Sequence, residues 1–303
     1  MQLYRHWTRK TFSLPFPRKT VSLHLPHKTV YLPLPRKSDD DLNSIQIFGY
    51  SNESPQAAER MADTLFRELE KSIAAFGHGG AGRPWDYTAG RPIREEILHE
   101  LDPRNIVSRN RYGADVLNSE THVFIDVDFL KPPRPSRLAA LFGRSRPEPL
   151  PPPEHTLKQV VDAARDASED LHPIRIYLTK NGYRLVVQNI DVAPASDACA
   201  RLMRRFHADS LYASLCASQQ CFRARLTPKP YRIHVKGRKF AWPEPDTPDQ
   251  CADKEAWLAE YAEKSKGHAV CQYLDTLNGP RTDDAVLDFH DAATGAFSGK
   301  PLA

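Results

Sequence analysis

Two aspartates on one predicted strand are the residues of this sequence best placed for chemistry. The segment Thr121–Leu130 reads THVFIDVDFL, in which apolar residues alternate with Phe124, Asp126 and Asp128. Side chains alternate between faces along a strand and two residues span ~6.6 Å, so we expect both carboxylates to project from the same face. Like charges this close oppose each other's ionisation, and a divalent cation between them removes the conflict. The pattern predicts a site for Mg²⁺ or Mn²⁺, as in metal-dependent phosphoryl transfer.

A hairpin further along the chain carries polar side chains on one face. Asn181-Gly182 is a strong turn signal between IRIYLTK and YRLVVQNI, and a two-residue turn there pairs Thr179 with Arg184. One face of the hairpin is then apolar. The opposite face carries Arg175, Tyr177, Thr179 and Arg184. A hydroxyl, a phenol and two guanidinium groups suit a phosphate or a nucleic-acid backbone. The alternative is the solvated polar face of an ordinary sheet.

A third strand, CFRARLT, repeats the basic theme. Arg223 and Arg225 share its polar face, and Lys229 and Arg232 follow in a proline-stiffened segment. Arginines two residues apart repel each other unless an anion or a carboxylate lies opposite. The two aspartates could supply that charge as structural ion pairs, or the arginines could form a basic track for a polyanion. We expect Arg184 and both of these arginines to share one sheet face with the aspartates.

The hydrophobic patterns of the other segments predict strands that alternate with helices along the chain. Ser44–Tyr50 reads as a strand, and a helix follows it from Pro55. Ile93–Leu101, with the sequence IREEILHEL, has apolar residues at helical spacing and predicts a short helix. Strands and helices alternate with hairpins, which favours an α+β fold with a mostly antiparallel sheet and flanking helices.

The N-terminal region contains a tandem repeat of nine residues. Arg9–Pro17, Arg18–Pro26 and His27–Pro35 read RKTFSLPFP, RKTVSLHLP and HKTVYLPLP. The repeat lacks acidic residues, which permits a basic arm for nucleic acid, but we favour a duplicated surface insertion because long surface loops are tolerated.

Composition limits the classes of protein. The chain has 303 residues, 40% of them hydrophobic and 26% charged, with a net charge of +4, which is typical of a globular protein. No apolar run approaches the ~20 residues of a membrane span. Trp7, Arg9 and Lys10 interrupt any signal-peptide pattern, so we expect a cytoplasmic protein with no membrane association. The five cysteines form no CxxC pair, which favours reduced, mostly buried thiols.

Several of these segments together resemble a family of uncharacterised bacterial cytoplasmic proteins. They are RNRYGADVLN, FIDVDF, the TKNGYR hairpin and CFRARLTPKPY. The likeness runs from SIQIFGYSNESPQAA to the C-terminal HD segment, and a short hairpin turn takes the place of the repeat in that family. The resemblance implies no activity.

The order of the motifs also resembles the catalytic core of archaeo-eukaryotic-type primases. Asp126 and Asp128 match the hhDhD strand of that superfamily, and Thr179 and Gly182 match part of its second motif. Arg184 stands where the superfamily has a histidine, and Asp209 is the candidate for its further acid. The resemblance implies a primase-like, RRM-like core that binds a nucleotide or single-stranded nucleic acid.

The sequence thus predicts three segments and a metal-dependent function. Residues 1–43 are an N-terminal strand with the repeat insertion, residues 44–241 an α+β core interrupted by a proline-rich loop at 131–154, and residues 242–303 a C-terminal extension. The favoured function is primase-like nucleotidyl transfer, or nucleic-acid binding, with a divalent metal on the paired aspartates. The alternatives are a non-enzymatic interaction module with the same fold and a metal-dependent nuclease.

The predicted residue roles follow from these motifs. The predicted catalytic residues are Asp126, Asp128 and Asp209, and the first two are also predicted to bind the metal. The predicted substrate-binding residues are Arg175, Thr179, Arg184, Arg223, Arg225 and Lys229.

Overall fold

The computed structural model describes most of the chain. The described residues are 1–13, 22–25, 28–31, 44–77, 92–129, 153–165, 172–188, 190–240, 242–243, 247–282 and 284–303. The chain divides into two compact units, Gln2–Arg94 and Glu95–Ala303, with Met1 belonging to the second. The predicted proline-rich loop at 131–154 falls outside the described residues, except for its last two positions, which begin a helix.

The first unit is a two-stranded antiparallel ribbon with a long helix. Strands β1 (His6–Ser13) and β4 (Ser44–Ser51) pair along their whole lengths, and α1 (Pro55–Gly77) follows. Gly49 lets the helix approach closely, because a Cβ there would lie 2.0 Å from the Ala58 carbonyl oxygen. Strands β2 (Ser22–Leu25) and β3 (Lys28–Tyr31) form a separate hairpin.

The first nonamer contributes directly to this unit. Phe12 stacks on Phe66 of α1 with ring centroids 4.1 Å apart, and Lys10 pairs with Asp63 at 2.9 Å. The expectation that the whole repeat is a surface insertion therefore does not hold for residues 9–13, which belong to β1.

The second unit contains two four-stranded antiparallel sheets. One has the order β11-β7-β6-β5, and the other has the order β12-β9-β10-β8. The strands of the first sheet are β5 (Glu96–Asp102), β6 (Asn105–Arg109), β7 (Asp115–Ser119) and β11 (Phe222–Arg225). The strands of the second are β8 (Val123–Asp128), β9 (Ile174–Thr179), β10 (Gly182–Val187) and β12 (Cys271–Leu277).

Five further helices complete this unit. They are α2 (Pro153–Arg165), α3 (Asp197–Arg205), α4 (Ser210–Gln219), α5 (Pro248–Ser265) and α6 (Ala285–Thr294). A 3₁₀-helix, Pro230–Ile233, follows β11. The cysteines of the unit are free thiols, all buried except Cys251.

Both faces of the second sheet pack against other elements over part of their area. Ile125, Ile176 and Leu185 share one face by strand register, and Tyr183 on that face donates a hydrogen bond to the Pro153 carbonyl oxygen of α2. The other face lies under α6, whose His290 packs on Phe124 at 5.4 Å between ring centroids.

Two local predictions were wrong. Ile93–Leu101 does not form a helix, because residues from Glu96 onward pair with β6 as an edge strand with two irregularities. In the hairpin, Gly182 pairs with Thr179 and Arg184 with Tyr177, so the turn residues are Lys180 and Asn181. The predicted register was off by two residues, which leaves every side chain on its predicted face.

The fold class is confirmed at the level of an α+β protein with antiparallel sheets and, among the described residues, six helices. None of those six helices has the length and apolar character needed to cross a membrane.

Candidate functional site

An ion pair between neighbouring strands forms the centre of the candidate site. Register places Arg184 on β10 directly opposite Asp126 on β8, so both side chains leave the same face of the sheet, as expected. Arg184 Nε donates to Asp126 Oδ1 at 2.9 Å, and Nη2 lies 3.5 Å from Oδ2. Burial alone would lower the pKa of Arg184, but the Asp126 carboxylate raises it above its ordinary value. Arg184 is therefore fixed in its charged form.

Arg175, Tyr177 and Arg184 on the polar face of the hairpin are buried, so this face is not the solvated one that the alternative interpretation predicted. Arg175 is fully buried and pairs with Asp291 of α6 at 3.0 Å. Tyr177 on the same face is also fully buried. Arg175 is therefore a structural residue that holds α6 against the sheet.

His290 of α6 links the two ion pairs. Its Nδ1 lies 2.9 Å from Asp291 Oδ1, and its Nε2 lies 3.4 Å from Arg184 Nη1. Burial is the main cause that lowers the pKa of His290. A neutral imidazole with its proton on Nδ1 satisfies both neighbours, because it donates to the carboxylate and accepts from the guanidinium.

Arg223 lies apart from the aspartates. It belongs to the other sheet and pairs with Glu95, with 2.6 Å between Nη2 and Oε2. Thus the prediction that Arg223 and Arg225 share a sheet face with Asp126 was wrong. The two strands belong to different sheets, and only the contact between β11 and β8 brings Arg225 near the ion pair.

Asp209 makes contacts that stabilise the start of a helix. Its carboxylate caps α4 by accepting a hydrogen bond from the Tyr212 amide at 2.8 Å. Its own amide donates to the Asp126 carbonyl oxygen at 3.0 Å. The backbone of Asp209 is therefore next to the site, while its carboxylate is already bound at the helix end.

Three cations gather where β11 ends. We call Arg225, Lys229 and Arg232 the β11 cationic cluster. No ion pair joins any of the three to a carboxylate within the described part of the chain. Arg184 Nη1 reaches this cluster by donating to the Arg225 carbonyl oxygen at 2.9 Å.

Arg225 has the most strongly shifted pKa of the three residues of the cluster. Its Nε is buried and has no hydrogen-bond partner among the residues that the structure describes. Burial, together with the charges of Arg184 and Arg232, lowers the pKa of Arg225 to about 10. Burial and the Arg225 charge likewise lower the pKa of Lys229. The folded protein thus holds more positive charge here than its own carboxylates neutralise.

The open side of the cluster carries residues that can contact a ligand. Tyr231 is 67% exposed, and the Arg232 guanidinium lies 5.9 Å from its ring centroid. In the amide orientation that satisfies its neighbours, Asn181 accepts a hydrogen bond from Arg232 Nη2 at 3.0 Å. Asp128 is exposed, and Thr179 is half-buried. The sequence analysis placed Arg232 beside Lys229 in the basic segment but did not include it among the predicted site residues, and it missed Tyr231, which precedes Arg232.

The arrangement fits an anion better than a metal pair. Both oxygens of Asp126 face Arg184, and Asp128 forms no ion pair with any cation in the described part of the chain. Within the described ranges, no group of three histidine, cysteine, aspartate or glutamate side chains is arranged to hold a metal ion.

No protein-family model, curated protein or solved structure matches this chain. The resemblances described above therefore stay predictions.

Proposed function

We propose that the protein binds the phosphate groups of a nucleotide or a single-stranded nucleic acid at the β11 cationic cluster. The observation that supports the proposal is the guanidinium of Arg225: it is largely buried, its Nε has no hydrogen-bond partner among the described residues, and its pKa is lowered although Asp126 opposes that shift. The nearby carboxylates are Asp128, whose charge acts on Lys229, and Asp126, which is already paired with Arg184. A bound phosphate would balance the remaining positive charge of the cluster with charge-assisted hydrogen bonds.

The neighbouring aromatic ring favours a nucleotide over inorganic phosphate. Tyr231 is exposed beside the cluster, and bases stack on exposed aromatic rings in proteins that bind single strands. Lys229 lies between Pro228 and Pro230, which restrict the backbone that presents the cluster. Phosphate contacts from the cations and stacking on Tyr231 together give a sequence-tolerant mode of binding.

A second candidate is metal-dependent phosphoryl transfer on a primase-like core. It is favoured by the common face of Asp126, whose side chain is 40% exposed, and Asp128, which is also exposed. Mg²⁺ or Mn²⁺ would have to share Asp126 with Arg184. Nuclease activity would use the same two acids, whereas in a non-enzymatic interaction module the acids and arginines would serve as structural ion pairs, as Asp126 and Arg184 do.

The binding proposal is tested with a fluorescently labelled oligothymidylate and the full chain. Anisotropy titrations at several salt concentrations should give affinities that fall with salt, because cation–phosphate contacts release counter-ions. Arg225→Gln should weaken binding by about tenfold or more and reduce the salt slope by about 0.7. Arg201→Gln removes the same charge from an exposed position of α3 and serves as the matched control.

Equal affinities of the two variants would contradict the proposal. Calorimetry with Mn²⁺ then tests the second candidate. Heat that Asp126→Asn abolishes supports a metal on the paired aspartates, and the absence of heat with wild type removes that candidate.

A further inference from the structure

A second constellation of reactive side chains lies at the opposite end of β8 from Asp128. A cavity of about 550 Å³ opens beside the turn between β7 and β8. Thr121, His122 and Asp284 line it, together with Arg104 and the first turn of α6. All of these residues belong to the unit Glu95–Ala303.

The three side chains form a continuous hydrogen-bonded row. His122 Nε2 lies 2.9 Å from Asp284 Oδ2, and His122 Nδ1 lies 2.8 Å from Thr121 Oγ1. Asp284 is the N-cap of α6 and accepts hydrogen bonds from the Val286 and Leu287 amides. The helix end therefore fixes the carboxylate, and the carboxylate fixes the imidazole.

The neighbouring polar groups determine where the protons lie. The hydrogen bond from His122 is the main cause that lowers the pKa of Asp284 to about 2, so Asp284 is a carboxylate that accepts the proton of His122 Nε2. A neutral imidazole with its proton on Nε2 leaves Nδ1 as an acceptor. The Thr121 hydroxyl is the donor within reach of Nδ1.

Asn105 and Ser119 support this direction for the Thr121 proton. Asn105 Nδ2 donates to Thr121 Oγ1 at 2.9 Å, so Oγ1 acts as an acceptor there. Ser119 Oγ donates to Asn105 Oδ1 at 2.6 Å, which is shorter than the 3.1 Å from Thr121 Oγ1 to the same oxygen. An amide oxygen can accept two hydrogen bonds, so the Thr121 proton has two acceptors within reach, and His122 Nδ1 at 2.8 Å is nearer than Asn105 Oδ1 at 3.1 Å.

We propose that Thr121, His122 and Asp284 form an acyl-transfer site that hydrolyses a small carboxylic ester in this cavity. Thr121 Oγ1 is the nucleophile, His122 is the general base and acid, and Asp284 is a positioning residue for the imidazole. Arg104 also lines the cavity, where it pairs with Glu120 at 3.5 Å, and it is the cation that would face the oxygen of a tetrahedral intermediate.

The reaction needs water as its only co-reactant. Thr121 Oγ1 forms a bond to the acyl carbon while its proton passes to His122 Nδ1. The ester C–O bond breaks, and His122 returns that proton to the departing alcohol oxygen. Water then attacks the acyl-threonine and gives a proton to His122 Nδ1. The acyl–Oγ1 bond breaks, the proton returns to Thr121, and a carboxylic acid leaves.

The test uses 4-nitrophenyl acetate on the full chain with Cys251→Ser, which removes the exposed thiol. We expect one acetyl group on Thr121, located by peptide mass spectrometry after rapid acid quenching, and a matching release of nitrophenol. His122→Gln should slow acylation by about 10²–10⁴-fold. Asp284→Asn keeps a capping side chain and should also slow acylation, with part of the rate restored by Asp284→Glu.

Two threonine variants provide the controls. Thr121→Val should lose the adduct while Thr121→Ser keeps it, and Thr64→Val on the exposed side of α1 should behave as wild type. The proposal is overturned if wild type carries no acetyl group on Thr121, or if His122→Gln acylates at the wild-type rate. Where thermal melting shows that Thr121→Val does not fold, the adduct map of wild type and the His122→Gln rate decide the outcome.

Discussion

Replacing Arg225 by methionine should make the fold more stable and at the same time weaken the binding of oligonucleotides. A pKa lowered from 12.5 to about 10 corresponds to roughly 3 kcal/mol of unfavourable free energy for the charged side chain in the folded state. For a base with a lowered pKa, this penalty is present below pH 10 and is relieved as the pH rises towards 12.5. Methionine keeps an unbranched apolar stem and loses no hydrogen bond from Nε, which has no partner.

Part of the stability gained by removing the charge is lost, because the guanidinium also packs against its surroundings. We therefore expect Arg225→Met to raise the free energy of unfolding by about 1 kcal/mol, or the melting temperature of its unit by about 2–4 °C. Urea and thermal unfolding at pH 7 measure this, and the anisotropy titration measures the loss of oligonucleotide binding. A variant that is destabilised by more than 1 kcal/mol would show that Arg225 has a structural counter-charge and would refute the reasoning.

Three further substitutions test the framework around the two sites. Arg184→Met should lower the free energy of unfolding by about 3 kcal/mol in urea titrations, because it removes the partner of Asp126 and of the Arg225 carbonyl oxygen. Asp284→Asn should lower the free energy of unfolding by about 1 kcal/mol at pH 7, after solvent screening is allowed for. A carboxylate with a lowered pKa stabilises the folded state above pH 3.8. The difference in stability from wild type should therefore vanish as the pH falls to about 2. Gly182→Ala should abolish the native fold or destabilise it severely in circular dichroism melts, since its Cβ would lie 2.0 Å from the Val127 carbonyl oxygen.

Gly182 illustrates how a correct motif led to an incorrect register. Asn181-Gly182 indicated a turn, and a turn is present, but Gly182 itself lies in β10. Glycine is needed there because β8 passes too close for any side chain, not because the turn requires it. The pairing of β8 with β10 is not visible in the local sequence, so the second role of the glycine was not predictable.

The common face of Asp126 and Arg184 was predictable from strand alternation alone. A register error of two residues leaves the faces unchanged, so the prediction survived the wrong turn. The burial of Arg175 was not predictable, because Asp291, which covers it, lies 116 residues along the chain. The periodicity of IREEILHEL favoured a helix, but pairing with β6 overrides this local preference.

Almost nothing in the sequence indicated that Thr121, His122 and Asp284 form a site. Thr121 and His122 are adjacent, but Asp284 lies 162 residues from His122, and only the start of α6 brings it to the imidazole. Its role as a helix cap was foreseeable, because an aspartate before AVLDFHDAA is a common N-cap, but its partner was not.

The most direct test of phosphate binding is the side-chain resonance of Arg225. In ¹H–¹⁵N spectra of the full chain, the Nε–H signal assigned by its loss in Arg225→Lys should shift and saturate when a thymidine dinucleotide with a 5′-phosphate is added. The Nε–H signal of Arg223, which is paired with Glu95, should stay in place. An unchanged Arg225 signal at saturating ligand, or equal shifts of both arginines, would contradict the account.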